Sequence, residues 1–220
     1  MSQRMPPWMV KSFSALRLTR YLRAAQGDVA AAQRLYWWNI EASSALFGPL
    51  HCLELALRNA LHHQLTQRYS REAWWEEAPL DPAGRRLVTK AHDKCARRGN
   101  TPVVPGSVVA ELTFGFWTAL LSRGYDRHFW VPVLHRAFPH YRGRRDDLYD
   151  GLSSLVLLRN RIMHHEPIHH RDLAADHAKI YRMLGSIDAR LAEEAQAMDR
   201  FPAVLARRQD VLRGSLPPRF

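Results

Sequence analysis

Residues 158–170 read LRNRIMHHEPIHH and place two arginines, an asparagine, four histidines and a glutamate directly after a strongly apolar helical run. An arginine offers fixed positive charge and several donors to a phosphate that gains charge in a transition state. A histidine, with an ordinary pKa of about 6.5, moves a proton at neutral pH. Together they suffice for RNA cleavage without a metal: the ribose 2′-hydroxyl attacks its own phosphodiester, a histidine handles proton transfer, an arginine stabilises the phosphorane, and asparagine holds the histidine or a phosphate oxygen. On a helix, residues four apart lie roughly 40° from each other around the axis and residues five apart roughly 140°. Asn160 and His164 then share one row and Arg161 and His165 the next, while Arg159 points elsewhere and must reach round with its stem. A plainer role competes with this one. Cations in a last turn complement the helix dipole and cap free carbonyls, and Pro167 is then a stop signal.

Three other groupings carry chemistry. Glu54, Arg58 and His62 step by four along one row of a second segment, ELALRNALHHQL, with Asn59 one row over. The ordinary reading is an intrahelical Glu–Arg pair worth about 0.2–0.5 kcal/mol. The alternative has Glu54 and Arg58 supporting or lining an RNA cleft beside Arg159, because both segments contain LRN. His164, His165, His169 and His170 suggest a metal, but Pro167 breaks the helix that would hold His165 and His169 as a ligand pair. With no matching Cys or Asp set elsewhere, neither a metal nor another cofactor is expected. FGFW at 114–117 offers base-stacking rings, yet its apolar helix favours core packing.

The segments LRNRIMHHEPI and ELALRNALHHQL, with AELTFGFWTALL between them, resemble the Abi-like proteins of bacteria, named for abortive phage infection, and through them the HEPN superfamily. The resemblance runs from about residue 30 to residue 185. It implies a helical bundle, often dimeric, and for many members a metal-independent ribonuclease built around R-x(4–6)-H with a polar residue after the arginine. That pattern falls on Arg159, Asn160 and His164, which become the catalytic candidates. His165 is a secondary candidate imidazole, Glu54 and Arg58 are secondary site residues, and Arg161 and Arg58 are candidate RNA-binding cations. Some HEPN toxins carry a tyrosine two residues beyond the histidine that a paired nucleotidyltransferase modifies. Here that place is Glu166, so the silencing route is not implied.

The elements that must position these residues read as helices throughout, since no alternating β-branched run is long enough for a sheet. A short helix over 12–26 is closed by Gly27. Asp28 then caps a helix that ends at Gly48-Pro49, and a third, LHCLELALRNALHHQLTQRY, carries a leucine stripe. An aromatic connection over 70–80 leads to Asp81-Pro82, which opens a basic helix ending at Gly99. Ser107 caps VVAELTFGFWTALLS, and a short helix over 126–138 follows. The long motif helix spans about 144–166, and a last helix runs from about 172 to 198. The expected fold is an all-α, HEPN-like bundle of five to seven helices. Residues 28–199 form its domain, 1–27 an N-terminal extension with a short helix, and 200–220 a loosely ordered tail with three prolines.

Charge narrows the partner. The 32 Lys+Arg against 21 Asp+Glu give a formal +11, and only four of the cations are lysine, so the charge is mostly guanidinium, suited to bidentate phosphate contact. Cys52 and Cys95 have no zinc-knuckle or disulfide-framework spacing. No signal-like or membrane-spanning stretch stands out, so a cytoplasmic protein is expected. The reading is a metal-independent endoribonuclease of bacterial defence or toxin type, with RNA and a second copy of itself as partners and no membrane, and with any antitoxin or regulator left open. The alternative is a non-catalytic HEPN-type module that binds RNA or protein. The roughly 140° between Arg159 and His164 leads to a further expectation, a homodimer in which Arg159 of one chain works with His164 of the other.

Overall fold

The computed structural model describes residues 4–99 and 102–219, and among these the chain is helical with no strand. In chain order the helices are α1 (Pro7–Phe13), α2 (Ala15–Ala24), α3 (Val29–Tyr69), α4 (Pro82–Arg97), α5 (Pro105–Glu111), α6 (Phe114–Ala119), α7 (Arg145–Met163), α8 (Leu173–Ile187), α9 (Ala189–Ala197), α10 (Phe201–Ala206) and α11 (Arg208–Arg213). Short 3-10 and π turns lie between them.

These helices differ from the expected five to seven for identifiable reasons. Asp28 opens α3 by accepting from the Ala31 N–H at 3.0 Å, as expected. The stop at Gly48-Pro49 does not occur, and α3 continues through it to Tyr69. An interior proline costs about 3 kcal/mol. Against it stand Leu46, Leu50, Leu53, Leu57, Leu61 and Leu65, all almost wholly buried in one stripe that crosses Pro49, and each is worth about 1.5–3 kcal/mol. Elsewhere, single expected helices are cut by local caps. The helix over 12–26 breaks at Ser14, whose φ is 68°. The segment after Pro105 breaks before Thr113, which accepts from the Phe116 N–H at 3.3 Å. The last helix breaks at Asp188, which accepts from the Leu191 N–H at 3.0 Å.

The chain groups into two compact units, neither continuous in sequence. One holds residues 1–50, 158–178 and 197–220, and the other holds 51–157 and 179–196. These units do not follow the 27/28 and 199/200 boundaries read from the sequence. The first has its core around Met9, Leu18, Tyr21, Trp38 and Ile168, and the second around Trp74, Phe114, Trp117, Phe129 and Leu152. The aromatic run at 114–117 is core, as its apolar helix suggested: Phe114, Phe116 and Trp117 are all buried.

The loosely ordered tail is corrected. Residues 201–213 fold as α10 and α11, with Phe201 and Val211 fully buried. The Trp38 indole N–H donates to the Val204 carbonyl at 3.2 Å. The reason lies across the unit, at Glu41, whose side chain is 2% exposed. Its Oε1 takes Arg207 Nη1 at 3.2 Å and its Oε2 takes the Arg219 N–H at 2.9 Å. A buried carboxylate without a partner costs several kcal/mol, so the tail is held wherever Glu41 is buried.

Candidate functional site

At its C-terminus α7 closes in a Schellman turn. The Glu166 N–H donates to the Arg161 carbonyl at 2.8 Å and the His165 N–H to the Ile162 carbonyl at 3.0 Å, with His165 in the left-handed region at φ 57°. The helical register persists to His164, whose N–H donates to the Asn160 carbonyl at 2.9 Å, so Asn160 and His164 do share a row. Both His164 and His165 are exposed, whereas Arg159, Asn160 and Arg161 are half-buried. Arg159 Nη1 meets Asn160 Oδ1 at 3.4 Å. Arg161, an expected RNA contact, is committed locally. Its Nε and Nη2 both donate to the Pro167 carbonyl, at 3.1 and 2.9 Å, and Nη2 lies 3.3 Å from Glu166 Oε2. Its guanidinium therefore caps the turn, as the dipole argument allowed.

His164 lines a cleft of about 270 Å³ together with Arg17 and Arg20 of α2, Glu166, Pro167 and the Ser14–Leu16 corner. Arg17 Nη1 also donates to the His165 carbonyl, which ties α2 to the end of α7. An exposed imidazole thus shares a concave surface with two guanidiniums, a combination able to bind an oxyanion and exchange a proton with it. Nothing in the sequence around them marks Arg17 and Arg20 as site residues. Their three-residue spacing puts them on one helix face, but no local signal tells where that face docks.

The loop after the motif is clamped from three sides. Asn39 Oδ1 accepts from the N–H groups of Ile168 and His169 at 2.8 and 3.1 Å. Arg208 Nη2 donates to the His169 carbonyl at 3.0 Å while its guanidinium stacks over Trp38, 4.9 Å from the ring centroid. Arg171 grips Asp176 through two bonds of 2.6 and 2.9 Å. Burial first, then the charges of His170, Arg208 and Arg161, push the His169 pKa down to about 4. Burial also lowers that of His170, helped by Arg161 and Arg171. Among the described residues no group of three or more His, Cys, Asp and Glu side chains is disposed to hold a metal ion.

Glu54 and Arg58 belong to the second unit, whereas Arg159, Asn160 and His164 belong to the first. Arg58 Nε meets Asn59 Oδ1 at 3.2 Å, so both LRN segments pair arginine with the asparagine that follows it. His62 is spoken for: its Nδ1 accepts from the Trp74 indole at 3.1 Å, and burial lowers its pKa. The second unit also carries a shallow, exposed basic depression on α4, lined by Arg85, Arg86, Lys90 and Arg97 with Asp93. Lys94 and Arg98 turn instead to Glu111, whose carboxyl they hold below its ordinary pKa.

No family model, curated protein or solved structure matches the chain. Among the described residues no helix is long and apolar enough to cross a membrane.

Proposed function

We propose that this chain is a metal-independent endoribonuclease of the HEPN type, acting in bacterial defence or as a toxin. The observation that carries the proposal is the cleft in which exposed His164 stands beside Arg17 and Arg20, one helical turn beyond Arg159 and Asn160. In this mechanism the ribose 2′-oxygen attacks the adjacent phosphorus as its proton leaves. Guanidinium groups stabilise the charge gathered on the phosphoryl oxygens, and the 5′-oxygen leaves with a proton. His164 handles proton transfer, and Asn160 orients Arg159 through its side-chain oxygen. The products are a 2′,3′-cyclic phosphate and a 5′-hydroxyl.

Incubation of the purified protein with total cellular RNA in EDTA, followed by mapping of cut ends, tests this reading. Discrete cuts with those end groups are expected, and substrates with a 2′-deoxy residue at the cut should resist. Cutting abolished by EDTA and restored by one particular metal, or equal cutting of DNA, contradicts the mechanism. The exposed cations of α4 favour a second reading, a module that holds RNA without cutting it. Salt-sensitive RNA binding with no cuts selects that reading.

A further inference from the structure

We propose that two adjoining cavities of the first unit form one nucleotide site, which receives an RNA residue with its phosphate in the His164 cleft and its base in an aromatic pocket next to it. The assignment to RNA, rather than to a free nucleotide, rests on the ribonuclease reading; the nucleotide chemistry does not.

The pocket has a volume of about 610 Å³ and shares Ser14 and Arg17 with the His164 cleft. This volume lies in the range of small-molecule sites, roughly 300–1,000 Å³. Phe13, Tyr21 and Tyr36 line it. The Phe13 and Tyr36 centroids are 4.8 Å apart, and those of Tyr21 and Tyr36 are 5.1 Å apart. Tyr21 and Tyr36 are buried and pack on one another, while Phe13, half-buried, is the most accessible of the three and supplies the ring on which a nucleobase would stack. The same wall carries groups able to read a base edge. The Tyr36 phenol, protonated at neutral pH like any phenol and with its pKa raised further by burial, is a donor at this wall. Asn39 has its Oδ1 committed to the Ile168 and His169 N–H groups, so its amide NH2 is the end that can meet a ligand.

The two cavities differ in chemistry as the two ends of a nucleotide do. One presents Arg17, Arg20 and His164 to an anion, with Glu166 also in its lining, and the other presents aromatic rings and polar donors, with Lys11 and His165 also in its lining. Their common border is the α1–α2 corner, where Ser14 has φ 68° and ψ 145°, a conformation that non-glycine residues seldom adopt. This corner carries Phe13 to the aromatic pocket, while Arg17, one turn on, borders both cavities.

Calorimetric titration of the full chain tests the site with four ribonucleoside 3′-monophosphates, the matching nucleosides and inorganic phosphate. At least one nucleotide should bind about tenfold or more tighter than both its nucleoside and phosphate. Arg20→Ala, at an exposed position, should remove most of that advantage and leave nucleoside affinity unchanged. Phe13→Leu, which keeps bulk and loses the ring face, should weaken nucleotide and nucleoside but not phosphate. A nucleotide bound no better than phosphate, or affinities indifferent to both substitutions in proteins with wild-type circular dichroism, overturns the site. A single-stranded 2′-O-methyl oligoribonucleotide, which cannot be cleaved, distinguishes the sources. Binding tighter than the mononucleotide and sensitive to Arg20→Ala supports an RNA residue, whereas binding no tighter overturns the RNA assignment. Because no arm reads cleavage, a protein that cuts nothing but binds as described retires the ribonuclease reading and leaves the nucleotide site standing.

Discussion

His169 and His165 lie in the same loop, yet their positions have opposite consequences. His169 is buried against the Tyr21 ring, at 5.0 Å between centroids, and its pKa is pushed down to about 4. The unfolded chain takes up that proton near pH 6.5 and the folded chain only near 4, so this contribution to stability is complete above pH 6.5. It is lost as pH falls toward 4, by an amount on the order of 3 kcal/mol. Urea unfolding at pH 7 and pH 4.5 should show a smaller acid loss for His169→Gln than for the wild type; equal losses would refute the assignment. His165 is exposed and holds a left-handed backbone that costs a non-glycine residue about 1 kcal/mol. His165→Gly should therefore raise the unfolding midpoint and leave RNA cleavage nearly intact. If this variant is inactive on RNA, His165 rather than His164 is the working imidazole.

At the level of elements, the sequence disclosed those features whose causes are local. Asp28 and Asp81 are legible because a cap acts within a few residues, whereas α7 ends at Met163 in its Schellman turn, three residues short of the end that Pro167 suggests. The passage of α3 through Pro49, the order of the tail and the Arg17–His165 tie all depend on groups far away in the chain. Glu41 with Arg207 and Arg219 is the clearest case, since neither end betrays the other in sequence. The catalytic candidates were visible as a motif, and the register of Asn160 with His164 follows from helical periodicity. Arg161 reads as an RNA contact in sequence because its partner, the Pro167 carbonyl, has no side-chain signature. Helix α4 gives a prediction of its own. Arg86 and Lys90 stand four apart on its exposed face. If this face tracks a phosphate backbone, the double substitution Arg86→Ala and Lys90→Ala should weaken RNA binding uniformly across sequences. It should also lower the slope of log affinity against log salt by about 1.4, for two single-strand contacts. An unchanged slope removes α4 from the interface.

For the whole molecule, the formal charge of +11 favours a polyanionic partner. The homodimer expected from the motif spacing would decide where the motif arginine acts. Arg159 lies five residues before His164 and its guanidinium meets Asn160, so Arg17 and Arg20 are the arginines that line the His164 cleft within one chain. In a two-fold dimer with the α7 ends together, Arg159 of one protomer serves His164 of its partner. Mixing Arg159→Ala with His164→Ala protein under subunit exchange should then restore part of the activity, because one hybrid site is complete. Verified heterodimers that stay inactive would assign Arg159 to its own chain. The most direct measurement of the central claim is the single-turnover cleavage rate of His164→Ala and Arg159→Ala proteins, on a mapped RNA substrate in EDTA. Each rate should fall by about a hundredfold or more, with circular dichroism and unfolding midpoint close to wild type. Cleavage undiminished in both folded variants would contradict the assignment of catalysis to the end of α7.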